Sequence, residues 1–147
     1  MISTQHSDAE IARLVQNYNN TPNHDVVVSG VLLQNFKQNF SDFRDVEWES
    51  NNELYKVKFE IQDRDFYAYY DKEGNLLSYK QDIHEGELPS IVKNAAKAAY
   101  PKYRFDDMDK IVKGSQTFYK IEMGLGERDV TIYVVSDGKI LNEALIF

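Results

Sequence analysis

The stretch YKVKFEIQDRDFYAYYDKEGNLLS, residues 55–78, returns 64 residues later as YKIEMGLGERDVTIYVVSDGKILN, residues 119–142. Tyr55/Tyr119, Lys56/Lys120, Arg64/Arg128, Asp65/Asp129, Tyr69/Tyr133, Gly74/Gly138 and Leu77/Leu141 are identical, and the match needs no gap. Ordinary residue usage would give about one or two identities over such a window, so the chain carries an internal repeat. Within the first copy the residues alternate. Tyr55, Val57, Phe59 and Ile61 share one face, with Lys56, Lys58 and Glu60 on the other, the period of a half-buried strand. Asp63-Arg64-Asp65 predicts a turn, Phe66–Asp71 a second strand, Lys72–Asn75 a tight turn and Leu76–Ile83 a further strand. Ahead of them Asp45–Glu49 alternates, with Val46 and Trp48 on one face, and Asn51-Asn52 supplies turn chemistry.

Working outward, a shift of 60 aligns Lys37/Lys97, Phe40/Tyr100, Phe43/Tyr103 and Arg44/Arg104. The second copy therefore carries four extra residues within 106–117. Each copy opens with a helix. In the first, Ser29 is the expected cap, and Val31, Leu32, Asn35, Phe36 and Phe40 form the buried side. In the second, Pro89 opens the helix, and Ile91, Val92, Ala95 and Ala99 point inward. The expected fold is α+β: two tandem helix-plus-four-strand repeats forming one antiparallel sheet with helices on one face and the other face open. Residues 26–83 make the first repeat and 84–147 the second, in one compact domain. Residues 1–25 form a polar N-terminal segment. In it the capping-box pattern Ser7-Asp8-Ala9-Glu10, followed by Ile11, Leu14, Val15 and Tyr18, predicts a short helix near 8–18. Residues 19–23 then break that helix.

Composition narrows the function. The chain has 147 residues, no cysteine and a formal charge of −7. Thiolate chemistry, disulfides and cysteine-bound zinc are excluded. No apolar run approaches the ~20 residues of a membrane-spanning helix, so an integral membrane segment is not expected. Nucleic acid is a poor partner, because acidic residues interrupt every group of lysines and no basic stripe forms. The start Met1-Ile2-Ser3 is not followed by the basic and apolar stretches of a leader.

Catalytic signatures are absent from the sequence. His6, His24 and His84 fall in loops or tails, with no His-x-His or His-Glu-x-x-His spacing. Asp82–Glu87 and Asp106-Asp107-Met108-Asp109 read as solvated polar turns rather than metal loops. Gly124-Leu125-Gly126 precedes no helix, so it is not a phosphate loop. No cofactor or metal is expected, and the chain is read as no enzyme. The aromatic residues carry more information. If Phe66, Ala68 and Tyr70 face the helices, Tyr67, Tyr69 and Tyr133 lie on the open face, with Lys56, Lys58 and Lys120 around them. Tyrosines on a rigid sheet suit recognition; the same pairs also serve to stabilise a sheet.

A family resemblance joins these features. Phe40 or Tyr100-Pro101 closes each helix, Val46-x-Trp48 and Tyr55-x-Val57-x-Phe59 follow, and then comes a strand ending in Tyr70-Asp71-x-x-Gly74-Asn75-Leu76-Leu77. Leu88-Pro89 opens the second helix and Asp137-Gly138-Lys139-Ile140-Leu141 closes the second copy. Over residues 26–147 the sequence resembles the PepSY-like family, whose fold is similar to beta-lactamase-inhibitor proteins. The resemblance implies a non-enzymatic binding or inhibitory module, with no catalytic residues to carry over. It implies a periplasmic or exported location, as in gut Bacteroidetes. The expected partner is a protein or peptide docked on the open sheet face. The alternative is a small-molecule carrier with its ligand between sheet and helices. The oligomeric state is left open.

Overall fold

A computed structural model describes residues 6–19, 28–51 and 53–141. The break after the first helix, His24 and Asn52 lie outside the described residues. The described elements are α1 (Asp8–Asn19), α2 (Gly30–Asn39), β1 (Phe43–Ser50), β2 (Leu54–Ile61), β3 (Arg64–Asp71), β4 (Leu76–Ile83), a 3-10 turn (Glu85–Glu87), α3 (Ser90–Ala99), β5 (Arg104–Lys113), β6 (Gln116–Leu125), β7 (Arg128–Val135) and β8 (Ile140–Leu141). The eight strands form one antiparallel sheet in the order of the chain, the meander that short hairpins impose. The fold is α+β, as the repeat predicts. Two compact units can be distinguished, Met1–Lys80 with Lys113–Ser115, and Gln81–Val112 with Gln116–Phe147.

In the first unit, the Ser29 side chain accepts from the Leu32 amide at 3.2 Å and starts α2. Leu32, Phe36 and Phe40 bury against Val57, Phe59, Ala68 and Tyr70. The centre of this core is aromatic. The Phe36 ring lies 4.5 Å from Phe43, 4.9 Å from Phe59 and 5.4 Å from Trp48, centre to centre, within the range of favourable ring pairs. The β2–β3 hairpin pairs Ile61 with Arg64. Its turn is thus Gln62-Asp63, both with positive φ, and Arg64 and Asp65 belong to the strand rather than to the turn expected at 63–65. A two-residue loop needs that backbone to match strand twist. In β1 the register slips between Arg44 and Glu47, with Asp45 at φ 55°, a bulge.

Helix α1 forms where the capping pattern places it, with the Glu10 amide donating to the Ser7 hydroxyl at 3.2 Å. Its apolar side, Ile11, Leu14, Val15 and Tyr18, packs on Leu54, Leu77 and Tyr69. Tyr69 alternates with Ala68 and Tyr70, which face α2. Helix α1 therefore covers the sheet face opposite α2, and the face expected to be open is in part closed by the N-terminal segment.

In the second unit, Val92 and Ala96 of α3 pack on Ile121, Met123, Ile132 and Val134. Three helix residues expected to point inward do not. Val31 is 59% exposed and Ile91 56% exposed, and Ala99 is also exposed. The buried seams run through Leu32–Phe36 and Val92–Ala96, one residue later around the helix. Val31 and Ile91 instead lie over the repeated hairpin glycines. A Cβ on Gly74 would stand 3.6 Å from Val31, and one on Gly138 3.6 Å from Ile91. The four extra residues of the second copy lengthen its first two strands. β5 and β6 have 10 residues each, against 8 in β1 and β2.

Candidate functional site

The ladder between β1, β2 and β3 sets the outer face of the first unit. Lys56 stands opposite Tyr69 and Lys58 opposite Tyr67. On the other side Glu49 stands opposite Lys56 and Glu47 opposite Lys58. Period-two alternation puts all six side chains on one face. Two rows result, Glu47–Lys58–Tyr67 and Glu49–Lys56–Tyr69.

The second row runs under α1. The Tyr18 ring meets Tyr69 edge-on at 5.7 Å, and its hydroxyl donates to Glu49 Oε2 at 3.2 Å. Burial, with the Glu49 charge and Tyr67 adding to it, pushes the Tyr69 hydroxyl up to about 12. Tyr69 is therefore a neutral, packed residue at the edge of the face.

The first row is where cations gather. Lys56 Nζ lies 4.9 Å from the Tyr67 ring centre, Lys58 Nζ 5.8 Å and Lys80 Nζ 4.8 Å. Each is within the reach of a cation–π contact, worth about 0.5–1 kcal/mol where exposed. Burial holds the Lys56 ammonium below the ordinary lysine value, and the Lys80 and Lys58 charges push the same way, against Glu49. Tyr67 is half-buried and Lys58 exposed, so solvent reaches this cluster. Lys80 is the member that sequence reasoning missed. It comes from β4, and its approach to Tyr67 depends on a register that alternation alone does not reveal.

Of the residues expected on the open face, the structure brings together Tyr67, Tyr69, Lys56 and Lys58. Tyr133 and Lys120 belong to the second unit, where they repeat the Lys56–Tyr69 cross-strand pair. Tyr133 is only 5% exposed. It packs edge-on against Phe118, with Ile111, Val135 and Leu141 around them, which leaves it little surface to offer. The lysine cluster has no equivalent there, because Glu122 and Thr131 replace Lys58 and Tyr67.

A cavity of about 260 Å³ in the first unit is lined by His6, Glu10, Arg13, Leu14, Glu53, Asp71, Lys72 and Glu73. His6 bridges two carboxylates there, Glu10 through Nδ1 and Asp71 Oδ2 through Nε2 at 2.9 Å. These contacts raise the His6 pKa. Asp71, itself buried, also accepts from the Asn75 amide at 2.8 Å. This lining is charged, unlike the apolar space a hydrophobic cargo would need. Among the described residues no group of three or more histidines and carboxylates is arranged to hold a metal, and no helix is long and apolar enough to cross a membrane.

Comparison with known proteins gives a consistent result. The beta-lactamase-inhibitor-like, PepSY-like family matches twice, over residues 13–78 and 78–142. A BLIP-like protein from Bacteroides fragilis is 18% identical. It superposes with a TM-score of 0.68 over 80% of this chain and 86% of that one. A DUF2874 family protein from Bacteroides uniformis is 17% identical, with a TM-score of 0.67 over 79% of this chain and 88% of its own. A protein from Bacteroides eggerthii described as periplasmic is 15% identical, with a TM-score of 0.67 over 80% and 88%. At such identities the likeness is one of fold. Among curated proteins, none matches the sequence.

Proposed function

The chain belongs to the beta-lactamase-inhibitor-like, PepSY-like family, and on that footing we propose that it is a non-enzymatic binding module whose first repeat docks a protein or peptide on the outer sheet face. The docking residues are Tyr67 and Tyr69 with Lys56 and Lys58, and Lys80 joins them. The observation that carries this reading is the Tyr67 ring, half-exposed on a central strand with three ammonium groups around it. A tyrosine on a paired strand gives contact area at little entropic loss, since backbone and ring are already ordered. Tyr133 is set aside as a docking residue because it is packed. Lys120 is its cross-strand neighbour and carries no cluster of its own.

The family is inhibitor-like rather than catalytic, which agrees with a face built of tyrosine, lysine and glutamate. Export to the periplasm is the compartment this reading takes, supported by the structural neighbour described as periplasmic. Capture from a cell-envelope fraction tests the function. Wild-type protein should retain a partner that Tyr67→Ala loses, with the far-UV spectrum and unfolding midpoint unchanged. Equal capture by both proteins would remove Tyr67 from the docking surface.

A further inference from the structure

The lysine cluster indicates what kind of partner the face takes. The chain carries −7 overall, yet three ammonium groups converge on one ring. Among the described residues Arg13, Arg44, Lys93 and Arg104 each sit within ion-pair distance of a carboxylate. Lys56, Lys58 and Lys80 have no such contact there. Glu49 attracts Lys56 from the neighbouring strand but spends one oxygen on the Tyr18 hydroxyl, and Lys56 and Lys58 both lie over Tyr67. Like charges held close and partly desolvated raise one another's free energy, and an anion placed between them relieves it. The stems are also ordered by the ring, so less side-chain freedom is lost on binding.

From this convergence we infer that the partner presents an acidic segment, an extended strand or loop whose glutamate or aspartate carboxylates seat among Lys56, Lys58 and Lys80 above the Tyr67 ring. The inference rests on the docking reading above and adds the chemistry of the occupant. Surface ion pairs are individually weak, but three acting together should discriminate an acidic from a neutral segment by roughly tenfold. The discrimination should fade as salt shortens the screening length.

The test is an NMR titration of the isotope-labelled full chain with a short peptide of alternating glutamate and valine. Its glutamine counterpart and a short oligothymidylate serve as comparisons. Expected is movement of the Lys56, Lys58, Tyr67 and Lys80 amides with the glutamate peptide, at roughly tenfold higher affinity than with the glutamine peptide. K56Q/K58Q/K80Q should abolish the preference and K56R/K58R/K80R should keep it, which separates charge from folding. Equal binding of both peptides at these amides would overturn the acidic-segment inference while leaving the docking reading intact. Failure of the glutamate peptide to move them would also overturn it, and envelope capture with Tyr67→Ala would then judge the docking reading alone. Equally tight oligothymidylate binding at the same amides would replace a protein partner with a general polyanion.

Discussion

Asp8 holds Ser115 across 107 residues of chain. Its carboxylate accepts the Ser115 amide at 2.9 Å and the Ser115 hydroxyl at 2.5 Å. The turn at Lys113–Ser115 is further tied by the Gly114 amide, which donates to the Leu77 carbonyl at 3.1 Å. Helix α1 is thus clasped at its first residue, beyond the apolar contacts it makes along its length. Ser115→Ala removes one hydrogen bond to a charged acceptor. At an exposed position the loss should be about 1 kcal/mol. Gly114→Ala should act more strongly, because φ there is +60° and an added Cβ would collide with Asp8 Oδ1. Hydrogen exchange of the α1 amides should quicken in both variants, with the order Gly114→Ala above Ser115→Ala.

The docking of α1 should have a pH optimum. The Ser115 bonds lower the Asp8 pKa from its ordinary 3.8. That contribution is present above pH 3.8 and is lost as pH falls through the lowered value. Hydrogen bonds to Glu10 and Asp71 raise the His6 pKa from 6.5. Its contribution is full below 6.5 and is lost as pH rises through the raised value. The chemistry agrees: both ring nitrogens face carboxylates, which only accept, so both must carry protons. Exchange protection of α1 should therefore peak between these limits. In His6→Gln the alkaline loss should vanish while the acid loss stays.

The two hairpin glycines should differ in their tolerance of alanine. Gly74 and Gly138 have φ of +88° and +95°, a region that disfavours any Cβ by about 1–2 kcal/mol. At Gly74 the new methyl would also stand 3.0 Å from Asn35 Nδ2, which donates to the Gly74 carbonyl at 2.8 Å. At Gly138 the nearest atom is the Ile91 carbonyl oxygen at 3.4 Å. Urea unfolding should show Gly74→Ala as the more destabilising change, by about 1 kcal/mol, the size of a lost hydrogen bond.

Within α2, depth should separate two apolar residues. Phe36 is fully buried, with the rings of Phe40, Phe43, Trp48 and Phe59 beside it, whereas Val31 is exposed. Phe36→Ala should destabilise by about 3–5 kcal/mol and shift the emission of Trp48, its edge-on neighbour. Val31→Ala should fall within about 0.5 kcal/mol of wild type.

Much of this architecture could be read from the residues alone. The alternation of residues 54–61 and the tight turn ahead of Leu76–Ile83 marked out β2 and β4, because a half-buried strand writes its faces directly into the sequence. The alternation that put Phe66, Ala68 and Tyr70 toward the helix and Tyr67 and Tyr69 away from it also held. What failed depends on contacts distant in sequence. Nothing local to Asp8 signals Ser115, so the closure of part of the outer face by α1 was invisible. Tyr133 and Tyr69 are repeat equivalents, yet one lies among Phe118 and Ile111 and the other beneath Tyr18. Val31 and Ile91 look apolar and inward, but the helix turns them over a glycine hairpin. Lys80 joins Tyr67 only through the pairing of its strand.

The bulge in β1 has a consequence for how this protein meets other chains. A straight border strand offers its unused amides and carbonyls as a template on which another strand can grow the sheet. Here the left-handed Asp45 backbone and the slip between Arg44 and Glu47 interrupt that row. Arg44, Asp45, Glu47 and Glu49 surround the interruption with charge. Runaway lateral growth, the route to fibrils, is thereby discouraged on this border, and a visiting chain is left with side chains rather than backbone to recognise.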